Sequence, residues 1–372
     1  MESPQSTPSR GQSPRVSVIL PAFNAERFVA EAVDSILGQS LAEFELIAID
    51  DGSTDTTGSI LATRAAHDPR VRIVARGNRG LTRSLNEGLE TARADYVAIM
   101  NADDVSLPER LATQAAFLDL HPAVAAVGSQ TRLMLADGKA GPATSLPESP
   151  AAIRSFLLRA SALAHPAVML RRQAVLDAGG YRAQIEPAED YDLWLRLAER
   201  HDLANLPDVL LHYRVHAGQS TARAYEAVAI ASLVAQAAAR ARRAGRPDPV
   251  NGLASIGRGF AEQLGITAAE ISLHAIENAL SRSETLLATG APPAAAKEPL
   301  ESLRGDPLVE AAPEFFAAAG FWLQGRALVS VGRYAKAVPL MVKAAVVEPL
   351  FRSRLAGALE RQVNQQRWNR RK

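Results

Sequence analysis

The chain has 372 residues, a length typical of about two or three domains. Apolar residues make up 47% of it, which excludes a wholly disordered chain, and 41 basic against 40 acidic residues leave a formal net charge of +1. No overall basic field therefore points to nucleic acid as a partner. The absence of cysteine excludes disulfides and thiol chemistry, and no apolar stretch approaches the ~18 residues of a transmembrane helix.

The first 15 residues differ in composition from the rest. They are rich in Ser, Pro and Gln and lack the apolar segment of a secretory signal, so we expect residues 1–15 to be a disordered tail. With no cysteine and no membrane span, the expected location is cytoplasmic.

From Val16 onward, short apolar runs alternate with amphipathic stretches. Strands are predicted at residues 16–20, 46–49, 71–74 and 96–100. Helices are predicted at residues 25–37, 56–66 and 81–92. This alternation predicts an α/β fold whose doubly wound, mostly parallel sheet is covered on both faces.

The loops that follow the predicted strands are unusually acidic. Ligands of such sheets bind beyond the carboxyl ends of the strands. Residues 50–55 follow the second strand and residues 101–104 follow the fourth, and both segments are dense in carboxylates. A turn does not require so many acids, so these loops indicate a binding site.

The composition changes after about residue 220, where an Ala/Arg-rich helical run begins. We predict a separate all-α domain over residues 221–372. Apolar and small residues over 315–350 approximate the spacing of a tetratricopeptide repeat, which would serve a protein partner or a dimer, although plain structural helices explain it equally well. The basic end, residues 351–372, is consistent with peripheral contact with an anionic membrane or with a solvated terminal helix.

Four motifs occur in a fixed order along residues 15–220. They are Val18-Ile19-Leu20-Pro21-Ala22-Phe23-Asn24, Asp50-Asp51-Gly52-Ser53-Thr54-Asp55, Asn101-Ala102-Asp103-Asp104 and Glu189-Asp190-Tyr191-Asp192-Leu193-Trp194. This set resembles the family 2 inverting glycosyltransferases, which have the GT-A fold. The resemblance implies a UDP-, dTDP- or GDP-sugar donor and a glycan or lipid-linked acceptor, as in polysaccharide biosynthesis.

The first two motifs are expected to bind the donor nucleotide. In similar enzymes the first loop lines the base and ribose; here it comprises Pro21, Ala22, Phe23 and Asn24. Asp51 is expected to accept a hydrogen bond from an N–H group of the base, whereas Asp55 alone reads more naturally as a helix cap. Arg79 is interpreted either as facing the nucleotide or as an ordinary surface residue.

The third motif indicates a divalent cation. Carboxylates beside a nucleotide diphosphate would repel it unless Mg²⁺ or Mn²⁺ lay between them. By resemblance, Asp103 is the metal ligand, Asp104 supports the loop or contacts the sugar, and Asn101 with Ala102 completes the donor site. Asn101 stands where the family often has Asp. His216 is either a metal or phosphate ligand or structural.

The fourth motif is expected to supply the base. Inverting transfer needs one group that deprotonates the acceptor hydroxyl, and the family's base matches Asp190. Glu189, Asp192 and His165 are assigned to the acceptor side or to support of the base. The alternatives are that these acids only favour a helix start and that His165 is structural.

Two other functions compete with this interpretation. A nucleotidyltransferase would carry a Gly-rich basic loop after the first strand, where this chain has Ala22-Phe23-Asn24-Ala25. A catalytically weak scaffold acting through the helical domain is the second alternative, and the joint presence of Asp51, Asp103 and Asp190 argues against it.

Overall fold

The computed structural model describes residues 13–216, 224–304, 307–310, 312–330 and 334–347. They form two compact units. The first contains the described residues up to Arg214 together with Val234–Ile256, and the second contains the described parts of Val215–Leu233 and of the chain from Gly257 onward. The predicted boundary near residue 220 lies outside the described residues.

The first unit is built on one nine-stranded sheet. Its strands are β1 (Val16–Ala22), β2 (Phe44–Asp50), β3 (Val71–Ala75), β4 (Tyr96–Ile99), β5 (Val105–Ser106), β6 (Val124–Leu135), β7 (Ala140–Ala143), β8 (Met169–Arg171) and β9 (Asp202–Val215). They lie in the order β3-β2-β1-β4-β8-β6-β9-β5, and β7 pairs with β6.

Seven helices of the described chain belong wholly to this unit. They are α1 (Val29–Leu37), α2 (Thr57–His67), α3 (Leu81–Thr91), α4 (Arg110–Leu120), α5 (Pro150–Phe156), α6 (Arg172–Asp177) and α7 (Glu189–Leu197). Helix α8 (Tyr225–Arg243) begins in the second unit and ends in the first.

The half of the sheet from β3 to β4 is parallel, and each of its strands ends at the same edge. β2 is buried at every position, and β1 at all but Pro21, so these strands read as largely apolar runs rather than as alternating patterns. The apolar face of α1, with Val29, Val33 and Ile36, packs into the same core.

The other half of the sheet is antiparallel. β8 runs antiparallel to β4 and to β6, so the segment that leads into β8 lies at the edge where β4 ends. The fully buried side chain of Arg110 joins the two strands there, because its guanidinium donates to the carbonyls of Ile99 and Val168 at 2.8 and 3.1 Å. Burial lowers the pKa of Arg110 to about 9.

The second unit is helical in its described part. Besides the start of α8 it contains α9 (Arg258–Gln263), α10 (Ala268–Ala288), α11 (Pro293–Glu301), α12 (Pro307–Glu310), α13 (Pro313–Ser330) and α14 (Tyr334–Val347). Helices α13 and α14 pack so closely that a Cβ atom on Gly325 would lie 2.4 Å from the side chain of Met341. The basic end that was considered for membrane contact lies outside the described residues.

Within the ranges that the structure describes, no helix is both long enough and apolar enough to cross a bilayer.

Candidate functional site

The loops that follow β1 and β2 are joined to each other by hydrogen bonds. Asn24, at the end of β1, has a left-handed backbone (φ 47°), and its amide N–H donates to Ser53 at 3.0 Å. Its side-chain oxygen accepts from the backbone of Thr54 at 2.8 Å. Asp55 accepts from the N–H of Thr57 at 2.9 Å, at the first turn of α2. Asp55 therefore stabilises the loop and the helix start, as a cap does.

Asp51 lies in a cage of N–H donors. Its two carboxylate oxygens accept from the backbone N–H groups of Arg79 and Gly80 at 2.8 and 2.9 Å, and the guanidinium of Arg76 pairs with it. Arg76 is held in turn by Glu87 at 2.6 Å. A carboxylate has about four acceptor positions, so little capacity is left for a base N–H. The binding of the donor's base by Asp51 stays a prediction, and its oxygens already accept hydrogen bonds from three protein groups.

The loop after β4 contains one buried and one accessible carboxylate. Asp104 is fully buried and accepts from the side chain of Asn101 at 3.1 Å and from the backbone N–H of Arg214 at 2.8 Å. Burial, with the charge of Asp103 beside it, raises the pKa of Asp104 well above its usual range. Asp104 thus supports the loop from within, whereas the half-buried Asp103 is the carboxylate that a ligand can reach.

Arg214 fastens the end of β9 to this loop. Its guanidinium donates to the backbone carbonyl of Asp103 at 2.7 Å and pairs with Glu31 on α1 at 2.6 Å. It also lies over the ring of Phe28, with 4.6 Å between the guanidinium carbon and the ring centroid. Two elements distant in sequence, β9 and α1, therefore set the position of the Asp103 backbone.

Glu189 and Asp190 form the first turn of α7. Asp190 is half-buried and accepts from the N–H of Tyr191 at 2.6 Å. Burial raises the pKa of Asp190 to about 6. Burial and the neighbouring Asp190 raise the pKa of Glu189 to about 8, and its buried Oε2 has no hydrogen-bond partner among the described residues. At neutral pH the inner carboxyl keeps its proton while Asp190 is ionised.

An aromatic cluster lies beside these acids. Nε2 of His165 and the hydroxyl of Tyr181 are hydrogen-bonded at 2.9 Å, and the rings of His165 and Trp194 are 6.0 Å apart. Burial lowers the pKa of His165 to about 4, so the imidazole is neutral. Burial and the charges of Asp190 and Glu189 raise the pKa of Tyr181 well above its usual range. Tyr181 is therefore hydrogen-bonded to His165 and also lies within the electrostatic influence of both acids.

Asp192 holds the turn before α7 rather than facing a ligand. It is fully buried and pairs with Arg182 and with Arg196, the latter at 2.8 Å. Arg196 also donates to the carbonyl of Gly180 at 2.7 Å. Position 180 requires glycine, because its φ is +68° and a Cβ atom there would lie 2.7 Å from Oδ1 of Asn86.

The remaining predicted site residues differ in accessibility. Phe23 and the side chain of Arg79 are exposed, and Ala22 and Ala102 are buried backbone positions. His216 belongs to the second unit, where its carbonyl accepts from Arg282 at 2.8 Å. No group of three or more His, Asp or Glu side chains placed to hold a metal occurs in the described ranges.

Sequence reasoning missed Arg76 and undervalued Tyr181. Arg76 directly follows β3, the neighbour of β2, so its position at the acidic edge was a usable signal. Nothing in the local sequence pattern links Tyr181 to His165.

Comparisons with known proteins give the family. The model described as Glycosyl transferase family 2 matches residues 17–178. The amylovoran biosynthesis glycosyltransferase AmsE of Erwinia amylovora is 34% identical over 202 residues, covering 53% of this chain and 75% of AmsE. The O-antigen biosynthesis glycosyltransferase WbnJ of Escherichia coli is 33% identical over 229 residues, covering 59% of this chain and 87% of WbnJ.

A solved structure shows the same fold. The crystal structure of S. aureus TarS 1-349 in complex with UDP-GlcNAc matches with a TM-score of 0.51 and 17% identity, over 89% of this chain and 91% of that one. The chain therefore belongs to glycosyltransferase family 2 and is a glycosyltransferase with a GT-A fold followed by a helical region. The predicted family, GT-A fold class and enzyme class are confirmed, with a sheet that is parallel in one half and antiparallel in the other rather than mostly parallel.

Proposed function

We propose that this enzyme transfers a sugar from a UDP-, dTDP- or GDP-sugar to a hydroxyl of a glycan or lipid-linked acceptor, with inversion at the anomeric carbon. The relatives AmsE and WbnJ, named for amylovoran and O-antigen biosynthesis, support an acceptor from bacterial polysaccharide assembly. The nucleotide and the sugar are left to the assay below.

The environment of Asp190 carries this proposal. A general base works best when its pKa lies near the working pH, because it is then ionised yet still basic. Burial raises the pKa of Asp190 to about 6, and the carboxylate stays half-accessible at the start of α7. In the proposed step Asp190 takes the acceptor's hydroxyl proton. The acceptor oxygen forms a bond to the anomeric carbon while the bond between the anomeric carbon and the diphosphate oxygen breaks. The nucleoside diphosphate then leaves.

Asp103 suits a divalent cation that the donor's phosphates help to hold. Mg²⁺ and Mn²⁺ prefer oxygen ligands, and Mg²⁺ is commonly bound by one or two carboxylates together with substrate phosphates. The carboxylate of Asp103 is half-buried and meets this description, whereas that of Asp104 is fully buried inside the loop. When bound, the cation would neutralise charge on the leaving diphosphate. His216 as a further ligand stays a prediction.

The first experiment identifies the donor. Isothermal titration with a panel of nucleoside diphosphates, with Mn²⁺ or with EDTA, compares wild type with Asp103→Asn. We expect one nucleotide to bind only with metal and the variant to lose that binding. Equal binding of the same nucleotide in EDTA would refute the metal site while leaving the donor site intact.

The second experiment tests the base. With the donor identified, Asp190→Asn should lower the rate at which nucleoside diphosphate is released in the presence of a pool of acceptors by about 10²–10⁴-fold. Nucleotide affinity should not change, because Asp190 acts on the acceptor. The matched control is Asp177→Asn, which removes an exposed carboxylate at the end of α6. A folded Asp190→Asn enzyme with wild-type turnover would exclude this residue as the base.

A further inference from the structure

The first unit has a cavity beside the C-terminal end of α7. It measures about 650 Å³ and is lined by the end of α5, the turn after α7 and the end of α8. Small-molecule sites commonly enclose about 300–1,000 Å³, so this space would hold a phosphorylated sugar or a lipid head group. At about 1.5 Å per residue, Ala198 on its wall lies roughly 12 Å along the chain direction of α7 from Asp190.

Three arginines from two different helices line this cavity. They are Arg154 on α5 and Arg242 and Arg243 at the end of α8, with Glu199 as the one lining acid. Arg154 pairs with Asp202 at 2.6 Å, and Arg242 pairs with Glu199 and with Asp248 at 2.8 and 2.6 Å. These carboxylates hold two of the guanidinium groups in place before any ligand arrives.

Among the three arginines that line the cavity, Arg243 is the one for which the described residues provide no carboxylate partner. It is exposed, and no carboxylate pairs with it within the described part of the chain. The macrodipole of α8 favours basic residues in its last turn, and this would explain Arg242 and Arg243 without a ligand. It does not explain why Arg154 comes from α5 to line the same concave surface. Leu158, exposed on the same wall, gives the cavity an apolar contact as well.

The cavity wall is connected to the proposed base through one hydrogen bond. The hydroxyl of Tyr191, the residue after Asp190, donates to the carbonyl of Leu157 at 2.6 Å, directly before Leu158. Burial raises the pKa of Tyr191 to about 12, so this hydroxyl keeps its proton and the bond persists at any ordinary pH.

We propose that this cavity binds the phosphate of a phosphate ester, at a site separate from the one for the donor. Guanidinium groups are planar forks that match phosphate oxygens, and several of them suit an ion with more than one charge. The phosphate comes either from a soluble phosphorylated glycan or from a lipid head group. The proposal uses neither Asp103, Asp190 nor a metal, so it stands or falls independently of the proposed reaction.

Calorimetric titration with inorganic pyrophosphate in EDTA tests the soluble source, because EDTA removes the metal that the proposed donor site needs. Arg243→Gln should weaken binding about tenfold or more, as expected for lost hydrogen bonds to a charged group. Arg243→Lys keeps the charge but not the fork and should fall between. Arg246→Gln is the matched control, since Arg246 is exposed three residues after Arg243 and does not line the cavity.

Sedimentation with phosphatidylcholine vesicles, with and without phosphatidic acid, tests the lipid source with the same variants. Binding that needs phosphatidic acid and is lost in Arg243→Gln but not in Arg246→Gln supports a lipid phosphate, even where pyrophosphate does not bind. Thermal unfolding of each variant confirms that it is folded. The proposal is overturned where wild type binds neither probe, or where Arg246→Gln weakens binding as much as Arg243→Gln does.

Discussion

The buried carboxylate of Asp192 gives the sharpest test of how this site is built. Replacement by Asn leaves Arg182 and Arg196 facing an amide instead of an anion. Removing one partner of a buried ion pair costs about 3–5 kcal/mol. Arg182 keeps Asp248 at 2.9 Å, and Arg196 keeps its carbonyl acceptors, so we expect about 3 kcal/mol, the low end. For a unit of this size, that lowers Tm by about 6–12 °C.

The matched control for Asp192 is Asp202, which also pairs with an arginine. That pair is exposed, with 36% of the Asp202 side chain accessible, and Asp202→Asn should cost only about 0–1 kcal/mol. Chemical denaturation followed by circular dichroism measures both variants on the same scale. Equal losses from the two variants would show that Asp192 does not hold the turn before α7 and would return it to the acceptor side.

Asp190, Gly180 and Arg110 can be tested in the same way. Because burial raises the pKa of Asp190 to about 6 and only its ionised form can accept a proton, kcat/KM should fall about tenfold per unit below about pH 6, and a flat profile would contradict the base assignment. Gly180→Ala should destabilise by roughly 1–3 kcal/mol, because of its positive φ and the contact with Asn86, while Gly77→Ala, in open space, should change little in the same melt. Arg110→Met should cost about 1–3 kcal/mol in chemical denaturation, because the carbonyls of Ile99 and Val168 lose the guanidinium donor and that of Val168 keeps only the N–H of Ile99; an unchanged midpoint would show that water replaces the guanidinium.

The parallel half of the sheet was predictable because its signal is local. β1 and β2 are largely apolar runs that stop at polar loops, and α1 after β1 carries one apolar face. The antiparallel half was not. β6 buries Ser129, Gln130 and Thr131 among its apolar residues. Gln130 and Thr131 are satisfied by the segment near Thr144, a pairing that no local pattern reveals.

The candidate site divides in the same way. The acidic loops that contain Asp51 and Asp103 were predictable from their position after predicted strands, whereas the choice of Asp190 as the base rested on the resemblance to family 2 glycosyltransferases. The state of each acid was not, because that depends on partners remote in sequence. Arg76 lies 25 residues from Asp51, and Arg214 lies 110 residues from Asp104.

Packing, rather than residue type, gives neighbouring acids in this site different degrees of burial. In the loop after β4, Asp104 is turned inward and accepts from Arg214, while Asp103 stays half-buried beside it. At the start of α7, Glu189 is the buried member and Asp190 the accessible one. At the start of α7, burial raises the pKa of Glu189 to about 8 and that of Asp190 to about 6, so at neutral pH the inner carboxyl holds its proton while the outer one is charged. Packing thereby divides two adjacent acids into one that stays inside the fold and one that can act on a ligand.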